Sequence, residues 1–596
     1  MEYINMLKNL WKYAERDRKR IIIYYIFHII SIFGVLIQPF AFSMIINALQ
    51  KNDENLMSEV FFWLVMYTLG FAIFNLFHRA ARFIERYVAF KARKRFLVST
   101  YGILQSLPLQ WHSENHSGNV IDRVNKAGDS IYYFGQYQAN CIEVIIKFIG
   151  SFIILTIISP VISITAILAG FLMVYITKKL YDISVPEYCA QNEGFHKISA
   201  ALFDYIKNIT TIIVLRLGKL VQKDLGNRLD NILPHITKEN KVTQVKCFVN
   251  ELIVLLLNVG LIFYYIASRN AIGSIVMAGS ITAIFQYLGQ LVSGFQFYSF
   301  SYEDIIHWNT NFKAMAPIYE AYDLNESIKK SKYKKDEKLI EEVNERINKK
   351  WKNIEIGPFS YSYGEGKAGL YDVRIQINHG QRIAFIGESG AGKSTFLRVM
   401  RGLIPIENLK LTIDTIDADI KVLENITTFI PQEPEIFENT ILYNITMGLS
   451  TNQDEIDRSA KLASFDKIVE KLPEGYETDI RENGVNLSGG EKQRLALTRG
   501  IYSVKDSSIV LLDEPTGSLD SATELSIYNS IFEDMSDKCI VSVLHRLHLL
   551  HLFDYIYVFK AGNIVETGTF NELLENKEGE FNYLWSKYLS NNKEEE

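Results

Sequence analysis

Six apolar runs dominate the first half of the chain, at about 21–48, 59–78, 131–158, 161–180, 248–268 and 271–298. Each comes close to the roughly 20 residues a helix needs to cross a hydrocarbon layer of ~30 Å. Only Ser159 and Pro160 divide the third from the fourth, which predicts a tight helical hairpin. Six crossings return the chain to the side on which it starts. The first run follows a basic leader, KNLWKYAERDRKR. A cleaved signal peptide would also begin basic, but with an apolar part about half as long, so this run reads as a retained anchor.

The polar segments between the runs are unequal. Those after the first, third and fifth runs are short, and the first of them, KNDENLMSE, is net acidic. Basic residues gather before the first run, after the second (HRAARFIERYVAFKARKRF) and after the fourth (TKKLYD). By the positive-inside rule both termini are cytoplasmic in a multi-pass protein, with a cell (inner) membrane as the expected location. The inner connections, 79–130 and 178–246, are long, charged and helix-compatible. Such segments cannot stay in lipid, so the helices are expected to project into the cytoplasm as continuous rods. After 323 a charged stretch, KKSKYKKDEKLIEEVNERINKKWK, reads as a surface linker. The expected division is 1–322, 323–351 and 352–596.

Composition adds little beyond this split. Hydrophobic residues make up 48% of the 596 residues and the net charge is -5, which gives no hint of a nucleic-acid partner. Cys141, Cys189, Cys247 and Cys539 show neither metal-ligand nor disulfide-framework spacing.

From about 352 the pattern becomes strand, turn, helix, as in α/β proteins. QRIAFIGESGAGKSTFLRVM places a short apolar strand before Gly387-Glu388-Ser389-Gly390-Ala391-Gly392-Lys393-Ser394-Thr395 and then a helix. This is G-x-x-x-x-G-K-S in the context the chemistry requires. Glycines let backbone amides approach phosphates, and the helix start adds a favourable dipole. Lys393 would neutralise the β/γ-phosphates of ATP, and Ser394 would hold Mg²⁺. SSIVLLDEPTGSLD is a second buried strand ending in two carboxylates. Asp513 is positioned to support Mg²⁺, and Glu514 to orient or polarise the attacking water. Between the two lies LSGGEKQR, whose glycines after Ser488 build another anion-binding helix start. One nucleotide does not need two cradles, so the second can serve a neighbouring copy.

With these motifs in this order, the sequence resembles the ABC transporter family, specifically exporters with the membrane domain fused ahead of the cassette. The resemblance implies a membrane α-helical bundle of six transmembrane helices plus an α/β P-loop NTPase domain. It also implies that Ser488, Gly489 and Gly490 contact the γ-phosphate held by the opposite subunit, so that two copies work together. Gln432 in PQEP matches the Q-loop, a Mg²⁺ and water contact, and His545 in LHR the switch histidine. Asp520 in SLD resembles the D-loop residue that communicates across the dimer. Tyr363 matches the adenine-stacking aromatic, although Tyr361 lies close enough to be mistaken for it. RENGVN with Glu482 resembles the exporter X-loop, LQSLPLQWHSENHSGNVIDRV the first coupling loop (short helix near 110–118), and a second coupling helix is expected near 203–210. His548 and His551 match nothing in the family. Departures are Glu491 where glutamine is common, LTRG in place of ARA, and a segment 402–427 lacking the usual glycine-bearing turn.

The expected activity is ATP-driven export or flipping of an amphipathic peptide, drug or lipid by alternating access. An ATP-gated channel and one half of a heterodimer are the alternatives. Glu143 and Lys147 lie one helical turn apart in the third run; Glu251 and Asn258 fall in the fifth, and Gln286, Gln290 and Gln296 in the sixth. They either line a water-accessible cavity or pack between helices. His28 and Gln38 in the first run are expected as packing contacts.

Overall fold

The structure is a computed structural model that describes residues 2–594 apart from 274, 334–350, 365–368, 405, 407–408, 450–451, 481–486 and 505–506. The chain divides into two compact units after Ile328.

Among its described residues, the regular elements of the first unit are all helices. Its long helices are Arg18–Lys51, Leu56–Ser106, Gln138–Ile158, Pro160–Lys207, Leu233–Ala271 and Ala278–Lys313. The second runs unbroken for 51 residues, about 75 Å at 1.5 Å per residue, far more than a bilayer needs. Ser159 is the break and Pro160 the first turn of the next helix, as the hairpin requires. Five stretches of the described helices are long and apolar enough to cross a membrane. The helix Ala278–Lys313, which carries Gln286, Gln290 and Gln296, is not among them.

Close backbone approach fixes the first helix pair. A Cβ built on Gly34 would stand 2.4 Å from the Gly70 carbonyl oxygen, and one on Gly70 would stand 2.7 Å from that of Gly34. Small residues at such crossings let dispersion replace the hydrophobic effect that lipid does not supply.

Four expectations shift. The run 131–158 is broken at Tyr137 into Ser117–Gln136 and Gln138–Ile158. The buried Glu85 accepts from the freed Ala139 amide at 2.7 Å, so a side chain from another helix makes the break affordable. The sixth helix begins at Ala278 rather than 271, because the preceding one continues to Ala271. A short helix lies at Leu109–Glu114 in the first loop, but the second is Ile209–Val214 rather than 203–210. Phe203 and Asp204 are held in the long helix by the first loop: His116 Nε2 lies 2.9 Å from Asp204 Oδ2, and Phe203 packs on Gly118. Finally, the expected linker starts as helix. Ala316–Tyr333 is continuous, anchored by buried Ile318 and by Asn325, whose amide donates to the Ser106 carbonyl at 2.7 Å. The rest of that charged stretch, 334–350, lies outside the described residues.

Among its described residues the second unit has two main sheets and a two-stranded antiparallel pair, β7 (Asn439–Thr440) with β8 (Asp479–Ile480). One main sheet is antiparallel, in the order β2 (Gly369–Asn378), β1 (Asn353–Ser362), β4 (Leu411–Ile413), β5 (Ile416–Asp417). The other has six strands, β12 (Asn563–Gly568), β11 (Tyr555–Lys560), β3 (Arg382–Gly387), β10 (Cys539–Val543), β9 (Ile509–Asp513) and β6 (Thr427–Ile430). All its pairings are parallel except β11 with β12. β9 and β10 are buried at every position, as strands covered on both faces must be. The β4–β5 turn, in the segment without the usual glycine-bearing turn, is made by Asp414 and Thr415 at positive φ (48° and 72°). The Asp414 carboxylate accepts from the amides of Lys352 and Asn353, both at 2.8 Å, which stabilises a conformation a side chain ordinarily resists.

Candidate nucleotide site

The carboxyl ends of β3, β9 and β10 lie side by side, since the three are parallel and in register (Phe385 with Val543, Val543 with Asp513). Ligands of open parallel sheets bind at this edge. β3 gives way to the loop 387–392 and the helix Lys393–Met400. Gly387, Gly390 and Gly392 take positive φ of 145°, 80° and 104°. A Cβ on Gly387 would stand 2.1 Å from the Phe559 carbonyl oxygen, so no larger residue fits there. Glu388, Ser389 and Gly390 are exposed, Ala391 and Lys393 buried, and Thr395 lies on the first helical turn. Lys393 Nζ donates to the carbonyls of Gly387 at 2.8 Å and Glu388 at 3.0 Å, which tightens the loop around its own ammonium. Burial holds the Lys393 pKa below its ordinary value, with Glu514 and Asp513 pulling the other way.

Ser394 Oγ donates to Asp513 Oδ1 at 2.7 Å. Burial pushes the Asp513 carboxyl above the usual carboxylate range, against the Ser394 hydrogen bond, and only 2% of its surface is exposed. A buried carboxylate beside a hydroxyl is a hard oxygen donor set, and a divalent cation there would offset the cost of the buried charge. The residues therefore fit Mg²⁺.

Glu514 sits just past β9 at φ 49°. Its Oε2 accepts from Gln432 Nε2 at 2.8 Å, and its Oε1 lies 2.6 Å from His545 Nε2. The three expected catalytic side chains thus converge, although they come from segments more than 30 residues apart. Tyr363 is exposed, with its hydroxyl 3.2 Å from Thr395 Oγ1, whereas Tyr361 packs against the core of the unit. Of the two, Tyr363 is the more exposed, its ring centre 5.0 Å from that of Tyr361.

Ser488 caps the helix Gly489–Ser503. The Glu491 carboxylate accepts from the Ser488 amide at 2.8 Å, while the Glu491 amide donates to Ser488 Oγ at 3.4 Å. This reciprocal cap works with glutamate or glutamine at the third helical position, which accounts for that departure. The departure LTRG has a steric counterpart: a Cβ on Gly500 would stand 2.4 Å from Ile430 Cδ1. Asp520 caps the next helix, accepting from the Thr523 amide at 2.9 Å, and this bond holds its carboxyl below the usual range. Glu482 lies outside the described residues.

Sequence reasoning missed the residues that brace these groups. Gln493 Oε1 accepts from the Ser518 amide at 2.8 Å, tying the helix after Ser488 to the segment before Asp520. The buried Glu524 accepts from Thr516 Oγ1 at 2.6 Å and lies 3.4 Å from Arg546 Nη1 and 3.7 Å from His548 Nε2. Arg546 also donates to the Leu519 carbonyl at 2.5 Å. Glu524 therefore joins the segment 516–520 to the one bearing His545, whereas the half-buried His548 makes no hydrogen bond through Nε2 among the described residues. Replacing Glu524 with glutamine keeps the shape and removes the charge. ATPase kinetics should show kcat reduced roughly 10-fold with KM for ATP nearly unchanged, the mark of misplaced rather than missing groups. Arg546 stands next to the histidine motif, so its position was a readable signal; Glu524 offered none.

In the helical unit the expected polar lining is divided. Lys147 Nζ donates to Glu143 Oε1 at 2.5 Å, and Ser151 Oγ donates to Gln290 Oε1 at 3.2 Å. A cavity of about 620 Å³ is mostly apolar, with Val144, Phe148, Phe295 and Phe297 in its wall beside Tyr3. Asn258, Gln286, Gln290 and Ser293 instead border a separate opening of about 450 Å³. His28 is buried, its ring centre 5.5 Å from that of His78, as a packing residue would be.

Comparison with known proteins agrees with this geometry. The family described as "ABC transporter transmembrane region" matches residues 21–295, and the one described as "ABC transporter" matches 370–517. The chain is 27% identical to ATP-binding cassette sub-family B member 6 of Xenopus tropicalis over 83% of its own length and 57% of that protein's, so it spans little more than half of that relative. It is 23% identical to the Beta-(1-->2)glucan export ATP-binding/permease protein NdvA of Brucella abortus, over 96% of this chain and 93% of that one. The fold matches the structure of a bacterial Atm1-family ABC exporter with ATP bound, at TM-score 0.82 and 22% identity, covering 96% of this chain and 99% of that one. The chain belongs to the ABC transporter family, as an exporter-type half-transporter whose membrane region precedes its ATP-binding domain.

Proposed function

We propose that two copies of this chain form an ATP-driven exporter that moves an amphipathic cargo across a membrane, with both termini cytoplasmic. The observation that carries the reading is the convergence of Gln432, Glu514 and His545 beside Lys393 and the Ser394–Asp513 pair. In this reading the amides of residues 387–395 and Lys393 hold the phosphates of ATP, and Tyr363 stacks on the adenine. Mg²⁺, held by Ser394, Asp513 and Gln432, would neutralise charge on the β/γ-phosphates. Glu514 accepts the hydrogen bond that orients the attacking water, while His545 and Gln432 hold its carboxylate in place. Ser488, Gly489 and Gly490 face the nucleotide of the second copy, and Asp520 lies at the seam between copies.

The cavities support the cargo class. Aromatic and aliphatic walls favour an apolar body, and the amide-bordered opening favours polar groups that accept and donate hydrogen bonds. A peptide, drug or lipid meets both conditions.

Two measurements test this. ATPase activity in lipid vesicles, assayed against peptides, lipids and drugs, should rise with the true cargo and be accompanied by its accumulation. Ion conductance without accumulation would show a channel instead. A mixed dimer tests the shared site. Lys393→Ala and Ser488→Arg should each be inactive alone, whereas a dimer containing one of each retains one intact Lys393–Ser488 pair. Restored ATPase activity on co-expression is expected; none would refute the shared site.

A further inference from the structure

The helix Glu2–Ala14 has one buried apolar face and an exposed face that mixes apolar and basic residues. Met6, Leu10 and Tyr13 are buried against Phe96 and Phe134. The opposite face exposes Ile4, Lys8, Trp11 and Lys12, spaced at i, i+4, i+7 and i+8 and hence in one stripe. Beside this stripe stands the start of the first membrane helix, and between them lies a groove of about 500 Å³. Ile21, Ile22 and Tyr25 of the membrane helix form its far wall, and Lys8, Lys12 and Arg18 rim it. Ile4, Trp11 and Ile22 are 56%, 40% and 53% exposed, so the apolar surface is uncovered.

The charges of the groove are one-sided. The acids close by in sequence are engaged elsewhere: Asp17 with Arg20 at 2.5 Å and with Arg95 at 2.6 Å, and Glu15 with Arg95 at 3.6 Å. Among the described residues Lys8 and Lys12 meet no carboxylate. Arg18 donates through Nε to the Trp11 carbonyl at 3.0 Å, and its guanidinium carbon lies 5.5 Å from the centre of the Trp11 ring. The indole is thereby held at the mouth of the groove, between cations and aliphatic surface.

We infer that this groove binds an anionic phospholipid, with its headgroup phosphate among Lys8, Lys12 and Arg18 and an acyl chain along Ile4, Trp11, Ile22 and Tyr25. Three features select that occupant. Unopposed cations lie at the end of a membrane helix, where anionic headgroups concentrate. An apolar floor runs from them onto the membrane helix, so one molecule with a charged head and a long chain fits both. A tryptophan sits at the boundary, the level at which indoles anchor in bilayers. The inference rests on the membrane reading of the first helix and is independent of the ATP chemistry.

The full chain in nanodiscs provides the test. Trp11 fluorescence should be quenched more by phosphatidylglycerol brominated on its acyl chains than by the equivalent phosphatidylcholine, and high salt should reduce the difference. Replacing Lys8 and Lys12 together with glutamine should lower the preference for the anionic lipid by about 5-fold or more. Trp11→Phe, with the other five tryptophans unchanged, should remove the lipid-specific quenching while ATP hydrolysis in detergent continues. Equal quenching by the two lipids, or an unchanged preference in the double variant, would overturn the assignment. So would full relief of the quenching by inorganic phosphate, which would reveal a bare anion site.

Discussion

Replacing Glu514 with glutamine should leave ATP binding intact and lower turnover roughly 10²–10⁴-fold, the range for loss of a positioned proton acceptor. The carboxylate holds two neighbours, Gln432 at 2.8 Å and His545 at 2.6 Å, and lies just beyond the end of β9. Glutamine has nearly the same shape, so the phosphate loop and its Lys393 contacts should persist. An amide cannot accept a proton from the attacking water, however, and its NH₂ group would face either the Gln432 amide or the His545 ring. Nucleotide binding measured by fluorescence and hydrolysis measured by phosphate release separate the two effects. A variant that hydrolyses at the normal rate would remove Glu514 from the chemistry.

The second large effect concerns Arg499. Its Nε donates to the Asn444 carbonyl at 2.6 Å, Nη1 to the Glu435 carbonyl at 2.7 Å and Nη2 to Asn444 Oδ1 at 2.9 Å. The guanidinium also lies over Phe437, 5.2 Å from the ring centre. One side chain from the helix Gly489–Ser503 thus fastens the segment that follows Gln432. Arg499→Ala would remove three hydrogen bonds, leaving Asn444 Oδ1 only the Phe437 amide as donor, and should cost about 3 kcal/mol. Lysine should rescue little of this, because a single ammonium cannot reproduce three donors in a planar fork. Hydrogen exchange on the full chain should show the loss as faster exchange across 433–447, with a lower thermal midpoint. Unchanged exchange there would mean that the segment holds itself.

How much of this was legible in the sequence depended on how far apart the partners lie along the chain. The phosphate loop was readable because a strand, three glycines and a helix start are adjacent, and their backbone demands are local. The break at Tyr137 was not. Residues 131–158 read as one predominantly apolar run, and the group that makes the break tolerable, Glu85, belongs to a different helix. The second short helix was misplaced for the same reason, since Phe203 and Asp204 are held in place by His116 and Gly118. The polar residues of the third and sixth helices were visible, as was the spacing that lets Glu143 pair with Lys147, but not that this pair would lie outside the wall of the apolar cavity. Arg499 was seen only as part of a departing motif, since its partners lie 55 and 64 residues away.

The unbroken helix Leu56–Ser106 sets the gearing of any motion this unit makes. A stiff rod of 51 residues is about 75 Å long, so a tilt of only about 5° about one end carries the other through roughly 6 Å. A side-chain-sized displacement at one end thus corresponds to an almost imperceptible rotation at the other, and the mechanical advantage is set by where the lipid surface grips the rod.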